Sequence, residues 1–175
     1  KTLKKRYPFI KVIQKPNEGH GKTIYLGYIK ALETKHDWVF QTDSDGHFAP
    51  SEFYKLWEKR KTSNFILGKR HNRKDPFYRL LITQLISLWI LILFGRYIKD
   101  PNIPFRLIKR DYLKKMIKKI PKDLFAPNIF LSIIAAHDGQ NLLHIPVEHR
   151  SSYETKLNKL KLVRAGIRGF VELLM

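Results

Sequence analysis

Two rhythms of apolar residues alternate along this chain. Short β-prone runs predict strands over residues 9–13, 38–42, 65–67 and 142–147, with Pro146 marking the last as an edge or a strand end, and a loop through residues 100–104 leads into Phe105-Arg106-Leu107-Ile108. Between them, apolar residues at helical spacing predict helices. Ile24, Leu26, Tyr28, Ala31 and Leu32 place one over residues 22–34, and others follow from residue 52 and over 80–94, 111–119 and 127–136. Ser51 is positioned to cap the second of these, with Glu52 near its positive end. Strands alternating with helices predict an α/β sheet, in which ligands sit beyond the carboxyl ends of the strands.

One such end carries the densest chemistry. The run Trp38-Val39-Phe40-Gln41-Thr42 leads straight into Asp43-Ser44-Asp45-Gly46-His47. On extended backbone Asp43, Asp45 and His47 project to one side, a donor set suited to Mg²⁺ or Mn²⁺ holding a diphosphate; the competing reading is an Asp/Ser/Gly turn facing water. Asn17-Glu18-Gly19-His20-Gly21-Lys22 is a glycine turn before a helix, able to bring backbone N–H groups to an anion or simply to join two elements. Arg70, in Gly68-Lys69-Arg70, stands close behind another strand end. Asp100 beside Arg106 reads as a site pair or a plain ion pair. Arg150 and Lys156, after the last strand, read as a phosphate clamp or as exposed cations.

Composition narrows the partners. The 175 residues suffice for one domain with a core. A net charge of +19, from 34 Lys+Arg against 15 Asp+Glu, calls for an anionic partner: nucleic acid, an anionic membrane surface or phosphate-bearing substrates. No cysteine is present, which excludes disulfides and thiolate metal sites. The first apolar run is too short for a secretory signal. Residues 80–95 are uncharged and strongly apolar, yet Arg79 and Arg96 bracket them below the roughly 20 residues of a membrane span, so a buried core helix or an interfacial helix is expected.

The order Asn-x-Gly-x-Gly-Lys, strand, Asp-x-Asp, Gly-x-Arg, Asp-Pro-x-x-x-Phe-Arg and strand-Pro-Val-x-His-Arg resembles the family-2 glycosyltransferases. The likeness is to the branch of dolichol-phosphate mannosyltransferase and bacterial polyprenyl-phosphate glycosyltransferases, and it covers about residues 10–156. The resemblance implies the A-type nucleotide-diphospho-sugar transferase fold, which is Rossmann-like. It implies a catalytic domain over residues 1–150 and a basic amphipathic segment over 151–175. By likeness, Asp43 and Asp45 hold metal and sugar nucleotide, with His47 as a further ligand where the branch often has Gln. Arg70 and Arg106 match arginines near the diphosphate or acceptor phosphate, and Asp100 the acid of the same loop; these three are the expected catalytic groups. Asn17, Gly19, Gly21, Lys22, Arg150 and Lys156 match the substrate-binding positions. Ile103-Pro104 replaces the usual Ser-Gly, stiffening that loop, and Thr155-Lys156 replaces a Ser-Lys signature. The chain starts at Lys1, and the family's opening strand, with its Pro-x-x-Asn-Glu element, is absent. An N-terminally truncated domain is therefore the expectation.

These residues suggest an inverting transfer from a nucleotide-diphosphate sugar to a polyprenyl-phosphate or saccharide acceptor, peripheral on the cytoplasmic face of a membrane. Hydroxyl-directed relatives carry an acid where this chain has Asn128, and an amide cannot take the proton. A phosphate acceptor needs no base, so the lean is towards polyprenyl phosphate, with Asp100 or Asp123 as the base if a hydroxyl is used. Two other readings are a nucleic-acid-binding module driven by charge and a non-catalytic, degenerate transferase domain. Dispersed Lys/Arg and a carboxylate turn that repels phosphate argue against nucleic acid as a partner.

Overall fold

The computed structural model describes residues 5–71, 77–139, 142–150 and 167–174. Helix α1 (His20–Leu32) leads to strand β1 (Trp38–Thr42), and helix α2 (Glu52–Glu58) with a 3-10 turn (Lys59–Lys61) leads to β2 (Phe65–His71). The long α3 (Phe77–Phe94) is followed by β3 (Phe105–Lys109), which passes directly into α4 (Arg110–Ile117). Helix α5 (Pro127–His137) and β4 (Leu143–Glu148) follow, and residues 167–172 form a last helical turn.

Among the described residues the sheet has four strands in the order β1-β3-β2-β4. Strand β3 runs antiparallel to β1 (Trp38↔Lys109 to Thr42↔Phe105) and to β2 (Phe65↔Ile108), while β2 and β4 are parallel (Ile66↔Leu143 to His71↔Glu148). Strands β1, β2 and β4 therefore point the same way. Their carboxyl ends share one edge with the loop that enters β3, which brings Asp43, Arg70, Asp100 and His149 to a single rim. Pro146 pairs opposite Lys69 on the outer strand β4, where a missing N–H is tolerated.

The main core joins the sheet to α1, α2 and α4 through fully buried Leu56, Phe65, Ile66, Leu67, Ile108 and Leu113. A second, smaller core joins α3, α5 and the C-terminal turn through Ile90, Ile98, Ile129, Ile133 and Leu173.

Two expectations fail locally. Residues 10–19 contain no strand, and Phe9 and Val12 are 84% and 63% exposed. A strand needs a neighbour for its amides, and among the described residues β1 pairs only with β3. Ser51 makes no side-chain cap; the 52–54 amides are bonded to the carbonyls of residues 49–51 instead. Glu52 is buried, and its carboxylate accepts the Glu148 N–H at 3.0 Å, tying α2 to the end of β4.

Candidate functional site at the carboxyl edge of the sheet

The acidic turn forms because Gly46 takes φ 75 and Asp45 folds back on its own loop, with Oδ1 accepting the His47 N–H at 3.1 Å. Its Oδ2 lies 3.3 Å from His47 Nδ1. His47 is thus drawn onto Asp45, and its ring meets His149 edge-on at 4.9 Å. The Arg150 N–H donates to the His47 carbonyl at 2.8 Å, so the exit of β4 is stitched to the acidic turn. Among the described residues no three His, Cys, Asp or Glu side chains converge as a metal site. Asp43, Asp45 and His47 are brought near one another but not arranged as a closed cage.

Asp43 is half-buried at the end of β1. Burial raises its carboxyl pKa and the neighbouring Asp45 raises it further, while His20, Arg70 and Arg106 pull it down. A carboxylate held among like charge and low dielectric is a recurrent mark of a functional position. Asp43 and Asp45 stand at one end of a groove of about 640 Å³ between α1 and β1, whose walls include His20, Ile24, Tyr28 and Phe40. His20, within the glycine motif, has no role legible in sequence. It lines the same groove as Asp43 and acts on its charge.

The second half of the rim is a linked set of cations and loop. Arg70 Nε lies 3.2 Å from Asp100 Oδ2, both largely shielded. Asp100 has φ 57, the only positive φ among described non-glycine residues, and its carbonyl accepts the Ile103 N–H. Such backbone costs on the order of 1–3 kcal/mol and persists only where its surroundings enforce it.

Arg106 supplies that enforcement from below. It is fully buried beneath the loop. Its guanidinium donates to the carbonyls of Ile103 (2.7 Å), Pro101 (3.2 Å) and Asn128 (3.0 Å), fastening the 100–104 loop to the start of α5. β3 is covered on both faces, so its Arg106 has nowhere else to go. Asp100 pairs with Arg70 rather than Arg106.

Asn128 is likewise buried. Its amide donates to Gln41 Oε1, and its own oxygen lies 2.9 Å from the Tyr28 hydroxyl. Burial pushes the Tyr28 phenol up to about 12, so it stays a neutral donor. No single residue of this Tyr28–Gln41–Asn128 triangle signals it in sequence, because its members come from three elements.

The glycine turn is built for close packing. Gly19 takes φ 101 at the start of α1, and Asn17 Oδ1 accepts its N–H at 3.2 Å. Gly21 is buried, and a Cβ there would run into the carbonyl oxygens of Leu124 and Phe125, so close packing requires a glycine here. Lys22 pairs with Asp123 at 3.0 Å and Glu18 at 3.7 Å. Lys156 lies outside the described residues, and Arg150 is placed at the rim by its backbone.

No protein-family model matches the chain. It is 28% identical to an uncharacterized protein of Methanocaldococcus jannaschii, over 87% of this chain and 71% of that protein. It is 26% identical to an undecaprenyl-phosphate 4-deoxy-4-formamido-L-arabinose transferase of Edwardsiella ictaluri (88% of this chain, 46% of that protein). The figure is 22% for an undecaprenyl-phosphate mannosyltransferase of Micrococcus luteus (74% and 56%). The chain therefore spans about half the length of these named transferases. Glucosyl-3-phosphoglycerate synthase of Mycobacterium tuberculosis, solved with uridine diphosphate, superposes with a TM-score of 0.62 at 16% identity over 98% of this chain and 58% of that one. The fold is the A-type nucleotide-diphospho-sugar transferase fold, and the chain is similar to the polyprenyl-phosphate branch of the family-2 glycosyltransferases.

Proposed function

We propose that this protein transfers a sugar from a nucleotide-diphosphate sugar to the phosphate of a polyprenyl lipid, inverting the anomeric centre. The observation that carries the reading is the convergence of Asp43 and Asp45 with the Arg70–Asp100 pair on one sheet edge. The names of the Edwardsiella and Micrococcus relatives support the lipid-phosphate acceptor.

In this reaction an ionised phosphate oxygen of the lipid attacks the anomeric carbon, forming one C–O bond. The bond from that carbon to the β-phosphate oxygen breaks, and the electron pair leaves with the nucleoside diphosphate. The nucleophile is already an anion, so no side chain need take a proton; buried Asn128 and paired Asp100 suit a site without a base. Arg70, fixed by Asp100, presents positive charge at the end of β2, where the departing diphosphate gains charge. Arg106 acts by holding the loop that fixes Asp100.

The paired carboxylates fit a hard cation, since Asp45 raises the pKa of Asp43 and a dication relieves that repulsion. Mg²⁺ commonly takes one or two carboxylates and completes its shell with substrate phosphates. Asp43 and Asp45 would hold Mg²⁺ or Mn²⁺, whose chemistry is charge neutralisation on the diphosphate. Asp45→Asn is expected to lower metal-dependent turnover by at least about 100-fold while far-UV circular dichroism and the melting midpoint stay unchanged. Full turnover in that variant removes Asp45 from the site.

The proposal places the protein peripherally on the cytoplasmic face of an anionic membrane. No described helix is long and apolar enough to cross one. Contact instead uses α3, whose Leu85, Leu88 and Ile92 are exposed on a chain of net charge +19.

A further inference from the structure

Polar side chains from α1, β1 and α5 close a hydrogen-bonded cycle inside the protein. Tyr28 and Asn128 are buried and Gln41 is half-buried. The Tyr28 hydroxyl lies 2.9 Å from Asn128 Oδ1 and 3.2 Å from Gln41 Oε1, and Asn128 Nδ2 donates to the same Gln41 oxygen at 3.2 Å. The phenol keeps its proton, because burial pushes its pKa up to about 12. That proton fixes the direction of both amides. It goes to Asn128 Oδ1, which turns Nδ2 towards Gln41 Oε1. With both amides reversed, two N–H donors would face the Tyr28 oxygen, and its proton would find no acceptor in the cycle.

Asn128 also reaches the other half of the rim. Gln41 stands opposite Arg106 in the register of β1 with β3, and the Asn128 carbonyl accepts from the Arg106 guanidinium at 3.0 Å. From Gln41 the strand runs two residues on to Asp43, on the same face. From Arg106 the bonds run to the carbonyls of Pro101 and Ile103, in the loop whose Asp100 holds Arg70. We infer that Asn128, locked by Tyr28 and Gln41, is a positioning residue that sets the spacing between Asp43 and the Arg70–Asp100 pair, an inference that rests on the transfer reading above. No member of the cycle has to touch substrate. Stability alone does not account for it, since apolar side chains of the same shape hold a core together as well as buried polar ones. What a fully satisfied network adds is a single geometry. Transfer needs that geometry, because Asp43 and Arg70 must face one diphosphate from opposite halves of the rim.

The test replaces the cycle with apolar side chains of similar size, Tyr28→Phe, Gln41→Leu and Asn128→Leu together, in the full chain. Asn128→Leu removes the side-chain bonds and keeps the backbone carbonyl that Arg106 uses. The donor is the nucleotide sugar that the wild-type protein uses best from a pool of uridine- and guanosine-diphosphate sugars. The triple variant is expected to melt close to the wild-type midpoint while kcat for transfer to undecaprenyl phosphate falls by about 10- to 100-fold. KM for the donor should change by less than about twofold, the mark of an arrangement that matters in the transition state. Tyr28→Phe alone should produce most of that loss, because the cycle opens when its proton donor goes. A role confined to stability gives the reverse, a lower midpoint with wild-type kcat per folded molecule. Wild-type kcat in the folded triple variant, or in Tyr28→Phe should the triple variant not fold, overturns the positioning role and leaves the transfer reading standing. If the wild-type protein glycosylates saccharides and not the lipid phosphate, the acceptor reading falls, and the same variants assayed on the saccharide decide the positioning role. A wild-type protein that transfers sugar to neither acceptor overturns the transfer reading and the positioning role with it.

Discussion

Arg106 shows how much of a loop can rest on one buried side chain. Its guanidinium satisfies the carbonyls of Pro101, Ile103 and Asn128 while enclosed in the protein. Burial lowers its pKa, and Tyr28, Asp100 and Asp43 act in the opposite sense. Arg106→Met keeps the bulk but orphans those acceptors, and buried unpaired polar groups cost about 1–3 kcal/mol each. The variant should lose about 3 kcal/mol of stability by urea titration, together with the fixed Arg70–Asp100 pair. Wild-type stability would remove Arg106 as the strut. In sequence, Asp100 and Arg106 are legible as a charged loop, but not which cation meets which acid. That choice is made by the pleat of β3, which turns Arg106 inward, and by the parallel partner strands that bring Arg70 over the loop.

At the scale of elements, the helices and strands with strong periodicity were readable almost to their ends. Helix α5 was expected over 127–136 and is found as Pro127–His137; strand β1 is found where it was expected, at Trp38–Thr42. The 9–13 run misleads because apolar, β-prone residues make a strand only where a partner edge receives them. Gly21 misleads in the other direction: a glycine before a helix suggests a ligand, but here α1 presses on the 124–125 backbone. Gly21→Ala should therefore destabilise the fold by about 1–3 kcal/mol through overpacking, read as a lower urea midpoint. An unchanged midpoint would show that α1 and the 124–125 loop can separate at no cost.

For the whole molecule, charge and apolar surface act together. Pattern alone left the 80–94 helix between core and interface; in α3 Ile90 is buried while Leu85 and Ile92 are exposed, and membrane contact through that exposed face is the proposal. Flotation with phosphatidylglycerol vesicles should recover the protein at low salt and progressively less as salt rises, since exposed charges are screened within about 10 Å at 0.1 M. A protein that stays in the soluble fraction at low salt contradicts membrane contact. The A-type fold was legible from the order of motifs, whereas the groove between α1 and β1 was not, because it is lined by residues distant in sequence. The most direct measurement offers the protein one nucleotide-sugar donor pool with three acceptors side by side: undecaprenyl phosphate, undecaprenol and simple saccharides. Transfer to the lipid phosphate alone is expected, its rate following ionisation of that phosphate. Transfer to undecaprenol or saccharide hydroxyls, with none to the phosphate, contradicts a phosphate acceptor.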